Sequence, residues 1–393
     1  MKATYNPFVS GNLPRFSRSY GKSASDIPFI LCLAVFAILP SPLAMAADRT
    51  WTGGAPEDSN WGTAANWGGT APVGNDALIF AGTTRLTNNN TIAADTTFTG
   101  ITFADAAGAF TLDGNAITLN GGITNISTSD QTINLGFALT GTQLFTNTVG
   151  KGDIVVNGII SGNGGLTKAG EGTLTLGAAN TYSGTTTVSG GTLVVGVNNL
   201  GSLGDTAVAV KSGATLKGSG VIGVVGGASD ASVTIESGGV LAPGNSPGLL
   251  TIDGDLTLSS GSIFEWELAA NKDTDNGTPG TDYDAVNVSG DLNISWDADF
   301  RVIMSGAVAF NDLFWNTNQK WSNIFNVSTG SAWDKQVWVY TKPTDSSYTP
   351  VDTGVQGYFT VSGTDLNWTA LPEPSTALAG LLLGAGLLRR RRN

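Results

Sequence analysis

Short runs in which apolar and polar residues alternate recur along most of this 393-residue chain. The clearest are Thr97-Phe98-Thr99, Ile101-Thr102-Phe103, Ile117-Thr118-Leu119, Leu174-Thr175-Leu176, Val233-Thr234-Ile235 and Leu256-Thr257-Leu258. Alternation of period 2, rich in Thr, Val and Ile, buries one face of a β-strand and wets the other. Gly-Gly, Ser-Gly, Asn-Gly and Asp-Gly pairs separate the runs, where the backbone must turn through positive φ. Between the terminal segments no stretch sustains helical spacing. The pattern predicts an all-β protein.

The runs also repeat. Ser189-Gly190-Gly191-Thr192-Leu193 returns as Ser212-Gly213-Ala214-Thr215-Leu216, Ser237-Gly238-Gly239-Val240-Leu241 and Ser260-Gly261-Ser262-Ile263-Phe264, at offsets of 23, 25 and 23 residues. Gly254-Asp255-Leu256-Thr257-Leu258 is echoed by Gly290-Asp291-Leu292-Asn293-Ile294. A period in the low twenties fits one coil of a parallel β-solenoid, whereas a propeller blade needs about twice that. A sandwich spaces its strands regularly but has no recurring corner sequence. A parallel β-helix is therefore predicted over about 75–295, with Leu193, Leu216 and Leu241 in one inward column.

Both ends depart from this texture. Lys2, Arg15, Arg18 and Lys22 precede an apolar run from Ile27 to Leu39, closed by Ala44-Met45-Ala46. A positive flank, a short apolar core and an A-x-A site predict a secretory signal peptide cut between Ala46 and Ala47. The cut would discard Cys32, the only cysteine. At the other end, Leu371-Pro372-Glu373-Pro374-Ser375-Thr376 leads into an apolar stretch from Ala377 to Leu388, then Arg389, Arg390, Arg391 and Arg392. Pro-Glu-Pro blocks a helix and the Ala/Leu/Gly run forms one, which the arginines would stop at the cytoplasmic face as a transmembrane helix.

This tail resembles the PEP-CTERM sorting signal of Gram-negative exopolysaccharide producers, with Pro372, Glu373 and Pro374 matching its triplet. The resemblance implies an exosortase substrate, anchored transiently in the inner membrane and then moved to the cell surface or extracellular matrix. A second resemblance lies in Gly162-Asn163-Gly164-Gly165-Leu166-Thr167-Lys168-Ala169-Gly170-Glu171-Gly172-Thr173-Leu174-Thr175-Leu176, continuing through Asn180-Thr181-Tyr182-Ser183-Gly184 to Gly190-Gly191-Thr192-Leu193. It is similar to the autotransporter-associated β-strand repeat of secreted bacterial passenger regions. Pro243-Gly244-Asn245-Ser246-Pro247-Gly248 is similar to a loop that often follows it. Membership would imply a right-handed β-helix and brings no catalytic residues. No β-barrel translocator is recognisable at the C-terminus, so export is expected to run through the tail signal.

The expected organisation is a signal peptide at 1–46, an N-terminal Trp-rich cap with the first coils at 47–150, the repeat-bearing β-helix at 151–295, a Trp-rich C-terminal β region at 296–370, and the sorting signal at 371–393. Trp51, Trp61 and Trp67 gather at one end, and Trp315, Trp321, Trp333 and Trp338 at the other. Such clusters can seal the open ends of a solenoid or stack on sugars; sealing is the expected role.

Charge and composition narrow the function. Residues 48–371 carry 29 acidic and 11 basic side chains, a net charge of −18, which excludes a nucleic-acid partner. There is no histidine, so Ser-His-Asp and Cys-His catalysis and His-ligated zinc are excluded. Chemistry would fall to the acidic doublets Asp253/Asp255, Glu265/Glu267, Asp273/Asp275, Asp282/Asp284 and Asp297/Asp299. Two carboxylates at i, i+2 on a strand share a face, as glycoside hydrolysis or calcium binding requires. Asp273-Thr274-Asp275-Asn276-Gly277, followed by Asp282 and Asp284, is the best calcium candidate. It is not an EF-hand, because its glycine falls at the fifth position. No catalytic, cofactor or metal residues are assigned. The expectation is an exported, non-catalytic structural or adhesive protein, processed by signal peptidase and exosortase and contacting exopolysaccharide or other surface components. A glycan-binding module is the alternative, with a carboxylate-dependent polysaccharide enzyme behind it.

Overall fold

The computed structural model describes residues 46–371, except 149, 225–230, 246, 306–307, 309–311, 331–332, 337, 342–348 and 351–356. The chain divides into two units, 1–43 and 44–393, and the fold described is that of the second. Ala44, Pro372, Glu373, Pro374 and Arg389 to Arg392 lie outside the described residues, as do both expected terminal helices. Among the described residues, no helix is long and apolar enough to cross a membrane.

The described chain is a parallel β-solenoid with three faces. Each coil visits them in a fixed order. Thr96–Phe98, Gly100–Phe103 and Thr111–Gly114 make one circuit, and Ile117–Leu119, Ile123–Asn125 and Gln131–Ile133 make the next. Each strand pairs in parallel with its counterpart one coil later. The sheet containing Gly100–Phe103 runs through fifteen strands and that containing Thr111–Gly114 through twelve. Only two short 3-10 turns, Ala64–Trp67 and Leu313–Asn316, interrupt the β structure as helical elements among the described residues.

Register stacks like on like. Leu193 pairs with Leu216 and Leu216 with Leu241, forming the predicted inward column. Ile154 and Leu174 extend it one way, Phe264 and Phe300 the other. On the neighbouring face Leu78, Ile101, Ile123 and Phe145 align in the same manner. All these side chains are buried. Hydrogen-bonded strands lie about 4.8 Å apart, close enough for each inward residue to pack on those above and below.

Glycine shapes the corners. Gly213, Gly238 and Gly261 have φ of 76°, 75° and 69°, a region that side chains disfavour. Their backbones are themselves stacked, Gly213 N donating to Gly238 O and Gly238 N to Gly261 O. At a different corner, a Cβ on Gly122 would fall 2.1 Å from the carbonyl oxygen of Leu144 in the next coil. Close stacking of coils leaves no room for it.

Parallel pairing reaches beyond 75–295 at both ends. Asp48–Trp51 lies beside Ala77–Phe80, so that sheet begins one strand earlier than the alternation pattern indicates. Past residue 295, Asp299–Met304 pairs with Trp338–Thr341, and Ala285–Ile294 with Phe325–Gly330. Trp51, Trp61 and Trp67 close the first coil against Phe80, with ring centroids 5.6–6.1 Å from it. At the far end the parallel order gives way to an antiparallel sheet of Gln319–Trp321, Asp365–Ala370, Gly357–Gly363 and Trp333–Gln336. Its Trp321, Phe359 and Trp368 pack with Trp315, and Trp321 meets Trp266 of the solenoid core at 5.5 Å.

Leu216 lies wholly inside between two leucines of adjacent coils. Leu216→Ala should therefore cost about 2–5 kcal/mol, measured as a shift in urea-unfolding free energy.

Candidate functional site

Leu258 pairs with Ile294, a step of 36 residues where the preceding coil, Ile235 to Leu258, takes 23. The surplus is spent on the segment 269–284, which loops out and returns to the strand Ile263–Leu268. Ala269 N donates to Asp282 O, and Asp284 N to Glu267 O. Alternation in that strand sends Phe264, Trp266 and Leu268 into the core and turns Glu265 and Glu267 to the opposite face, where Glu265 is still buried and Glu267 half-buried. Lys217, Glu265, Glu267 and Asp284 thereby surround one cavity of about 30 Å³, walled by Ala242, Pro243 and Ile303.

Asp284 is the best-held group in it. Its Oδ1 accepts from Gly248 N at 2.7 Å and its Oδ2 from Glu267 N at 2.9 Å. Burial still raises its carboxyl well above the usual range, with the charge of Glu267 adding to the effect; the two backbone N–H groups and Lys217 oppose it. Arg301 lies 3.9 Å from Glu265 and 2.8 Å from Asp299. A space of this size holds one water and no sugar ring. The larger grooves lie elsewhere. One of about 380 Å³ is lined by Thr251, Ile252, Asn287, Val288, Ser289, Asn326 and Val327, and has no carboxylate.

The other doublets separate. Asp253 stands between Leu249–Ile252 and Gly254–Leu258 rather than within one strand, and accepts from Ser289 Oγ; Asp255 accepts from Asp291 N. Asp273 accepts from Asp275 N, closing a local turn. Asp282 binds Lys272 Nζ at 2.9 Å, which lowers its pKa, while its neighbour Asp284 is committed to Gly248 and Glu267. Asp297 takes the hydroxyls of Ser260 and Ser295. The proposed calcium ligands therefore face different partners. No three acidic groups converge in metal-holding geometry among the described residues.

The polar groups with the most structural consequence were missed among the repeats. Lys168 has no exposed surface and stands in an apolar column, in register with Phe145 on one side and Val188 on the other. Its Nζ donates to Ala169 O, Gly170 O and Gly190 O at 2.8–3.2 Å, satisfying corner carbonyls of two coils. Burial lowers its pKa to about 8, against the pull of Asp153. Asn125 and Asn147 do similar work nearby, both donating to Gly152 O. At another corner, Asn180 accepts from Ile160 N and donates to Ala178 O and Ser202 O. Buried Tyr182 bonds Thr186 Oγ1 at 2.7 Å. The signal was present in Leu166-Thr167-Lys168, where period 2 puts the lysine on the side of the buried leucine.

Trp51, Trp61, Trp67, Trp315 and Trp321 are all buried, as the sealing role requires, while the side chains of Trp333 and Trp338 lie outside the described residues. Trp296 is the contrast, 85% exposed at a corner where the preceding coil carries Ser260. Of the expected cleavage residues, Ala46 is exposed and Ala47 is half-buried against Asp76.

Comparison with known proteins falls on the same coils. Residues 166–195 match the Passenger-associated-transport-repeat family, and the matched segment contains Lys168, Asn180, Tyr182 and Thr186. The chain is 34% identical over 224 residues to the adhesin BmaC autotransporter of Brucella suis biovar 1, and 40% identical over 116 residues to an extracellular serine protease of Serratia marcescens. These alignments take in 52% and 30% of this chain but 6% and 10% of the relatives. The chain thus contains a passenger-type repeat and spans a small part of the length of either relative.

Between pH 8 and 10.5 the folded chain holds fewer protons at Lys168 than the unfolded chain does. Stability should rise through that window, by at most about 1.4 kcal/mol per pH unit, because the cost of burying the ammonium is fully present only below pH 8. Lys168→Met should lack this contribution, so the unfolding free energy of the parent minus that of the variant should increase with pH by that amount. Urea titrations from pH 7 to 10.5 measure it.

Proposed function

We propose that this chain is an exported, non-catalytic β-solenoid of the surface or extracellular matrix of a Gram-negative bacterium, with a structural or adhesive role. The observation that carries this reading is the passenger-type repeat at 166–195, built into an unbroken stack of coils. In that repeat buried Lys168 and Asn180 are taken up by backbone carbonyls, and buried Tyr182 by the Thr186 hydroxyl. A relative named as an adhesin supports the adhesive role. A relative named as a serine protease does not extend its activity here, because the sequence has no histidine to complete a Ser-His-Asp triad. The cavity beside the Glu265/Glu267 pair is large enough only for water, which argues against carbohydrate hydrolysis there.

In this reading, 1–46 is the leader, 47–150 the first cap and coils, 151–295 the repeat-bearing solenoid, 296–370 the closing region and 371–393 a PEP-CTERM sorting signal. The coils wind right-handed, as parallel crossovers do. The long flanks present many weak contacts that sum through multivalency. Contacts to acidic exopolysaccharide would be bridged by divalent cations, since the body is itself acidic.

A second reading, glycan binding, is favoured by Trp296 alone. Its indole stands in solvent beside Asp297, whose carboxylate is fixed by two serines, an arrangement suited to stacking on a sugar and accepting from its hydroxyls.

Intact-mass analysis of protein taken from the native surface should find no Arg389 to Arg392; recovery of the full tail contradicts the sorting route. Retention on the surface should fall on chelation and recover with calcium. Trp296→Ala should leave the unfolding free energy within about 0.5 kcal/mol of the parent, as surface substitutions do. If it also abolishes binding to polysaccharide, the glycan reading replaces the structural one.

A further inference from the structure

Asp76 is wholly buried at the open end of the solenoid, immediately before the strand Ala77–Phe80. Three donors converge on its carboxylate. Ala47 N donates to Oδ1 at 2.9 Å, while Arg49 Nε at 2.8 Å and Val73 N at 3.0 Å donate to Oδ2. The backbone of Asp76 is fixed as well, its N donating to Val73 O and its carbonyl accepting from Thr99 N of the next coil. Burial alone would raise its pKa, but the hydrogen bonds from Arg49, Val73 and Ala47 outweigh it and hold the carboxyl below its usual range.

The first of these donors has an unusual address. Ala47 is the residue that would become the chain terminus if the A-x-A site at Ala44-Met45-Ala46 is cut. Ala46, on the other side of that bond, is exposed. Ala47 O already accepts from Ala77 N, which begins the pairing of Asp48–Trp51 with Ala77–Phe80. A terminal edge strand frays unless something ties its end down.

We propose that Asp76 is the receptor for the α-ammonium group released by signal-peptide removal, so that processing itself completes the N-terminal cap. In the hydrolysis, water adds to the Ala46 carbonyl and the Ala46–Ala47 bond breaks. Ala46 leaves as a carboxylic acid on the leader, and the nitrogen of Ala47 gains hydrogen to become an amine, then takes a solvent proton. A neutral amide donor 2.9 Å from a buried carboxylate is thereby replaced by a cation at the same position. The bond, so far charge-assisted by the carboxylate alone, becomes an ion pair with charge on both partners. Arg49 is the other cation on this carboxylate, and its Nε occupies the opposite oxygen, so both can be held together. The proposal rests on the leader reading of residues 1–46. Cleavage one residue later would remove the donor, so the capture requires a chain that begins at Ala47.

The test uses the exported protein. Intact mass should give Ala47 as the first residue. The pKa of its α-amine, followed by pH-dependent reductive methylation and NMR, should then lie at least one unit above the ordinary value of about 7.7–8.0. In Asp76→Asn it should return to that range. A protein that begins elsewhere overturns the leader reading and this proposal together. A protein that begins at Ala47 with an amine titrating in the ordinary range overturns the capture by Asp76 and leaves the leader reading standing. The titration of the wild-type amine decides the question even if Asp76→Asn does not fold.

Discussion

The structure depends on one constraint: every coil must lie in register on the next. Parallel strands on three faces satisfy their backbone groups across coils, so a coil has no hydrogen-bonded partner except its neighbours. Register then dictates which side chains touch. Leu193, Leu216 and Leu241 meet because the ladder aligns them, and their contact in turn penalises a slip by one residue, which would send the column outside. The corners obey the same spacing. Gly122 lies so near the Leu144 carbonyl of the following coil that a side chain there would force the two apart.

A stack of this kind creates a problem at each corner, where the ladder is interrupted and carbonyls turn inward. Leaving one buried carbonyl unpaired costs about 1–3 kcal/mol, so the corners need internal donors. Asn125, Asn147 and Asn180 supply neutral ones; Lys168 supplies a single group that reaches three carbonyls. The lysine achieves this at the expense of a depressed pKa, the mark of a charge held in an apolar column. The matched repeat therefore reads as a structural solution. Its buried Lys168 and Asn180 hold neighbouring coils together through backbone carbonyls.

Much of the fold was legible because a solenoid writes its period into the sequence. The 23- and 25-residue offsets reappear as pairing steps, and the echo between Gly254-Asp255-Leu256-Thr257-Leu258 and Gly290-Asp291-Leu292-Asn293-Ile294 is a direct pairing of strands. The ends were harder to read. Asp48–Trp51 contributes one buried tryptophan and no alternation, since as an edge strand it packs mainly on one neighbour. The antiparallel closing sheet carries no repeat because it stacks on nothing like itself. The acidic doublets misled in part. Spacing i, i+2 places two carboxylates together only within a single strand, as for Glu265 and Glu267, whereas Asp253 and Asp255 straddle a corner. Asp76 was invisible in the same terms, since its burial comes from chain segments on three sides and leaves no local pattern.

The division between inside and outside sets what the molecule can do. Inward positions are bound by the neighbours above and below, so the body tolerates change on its outer flanks and at corners that bulge away from the stack. The segment 269–284 shows that tolerance. A coil enlarged from 23 to 36 residues still returns to register, because the surplus is looped out and pinned by Asp284 to Gly248 and Glu267. Trp296, at the corner after that enlarged coil, is another outward departure from the small residues of the corners before it. New contacts can be added at such places without disturbing the ladder. A stack that holds its shape by internal register and admits change at its outer corners can carry many weak contacts that sum through multivalency.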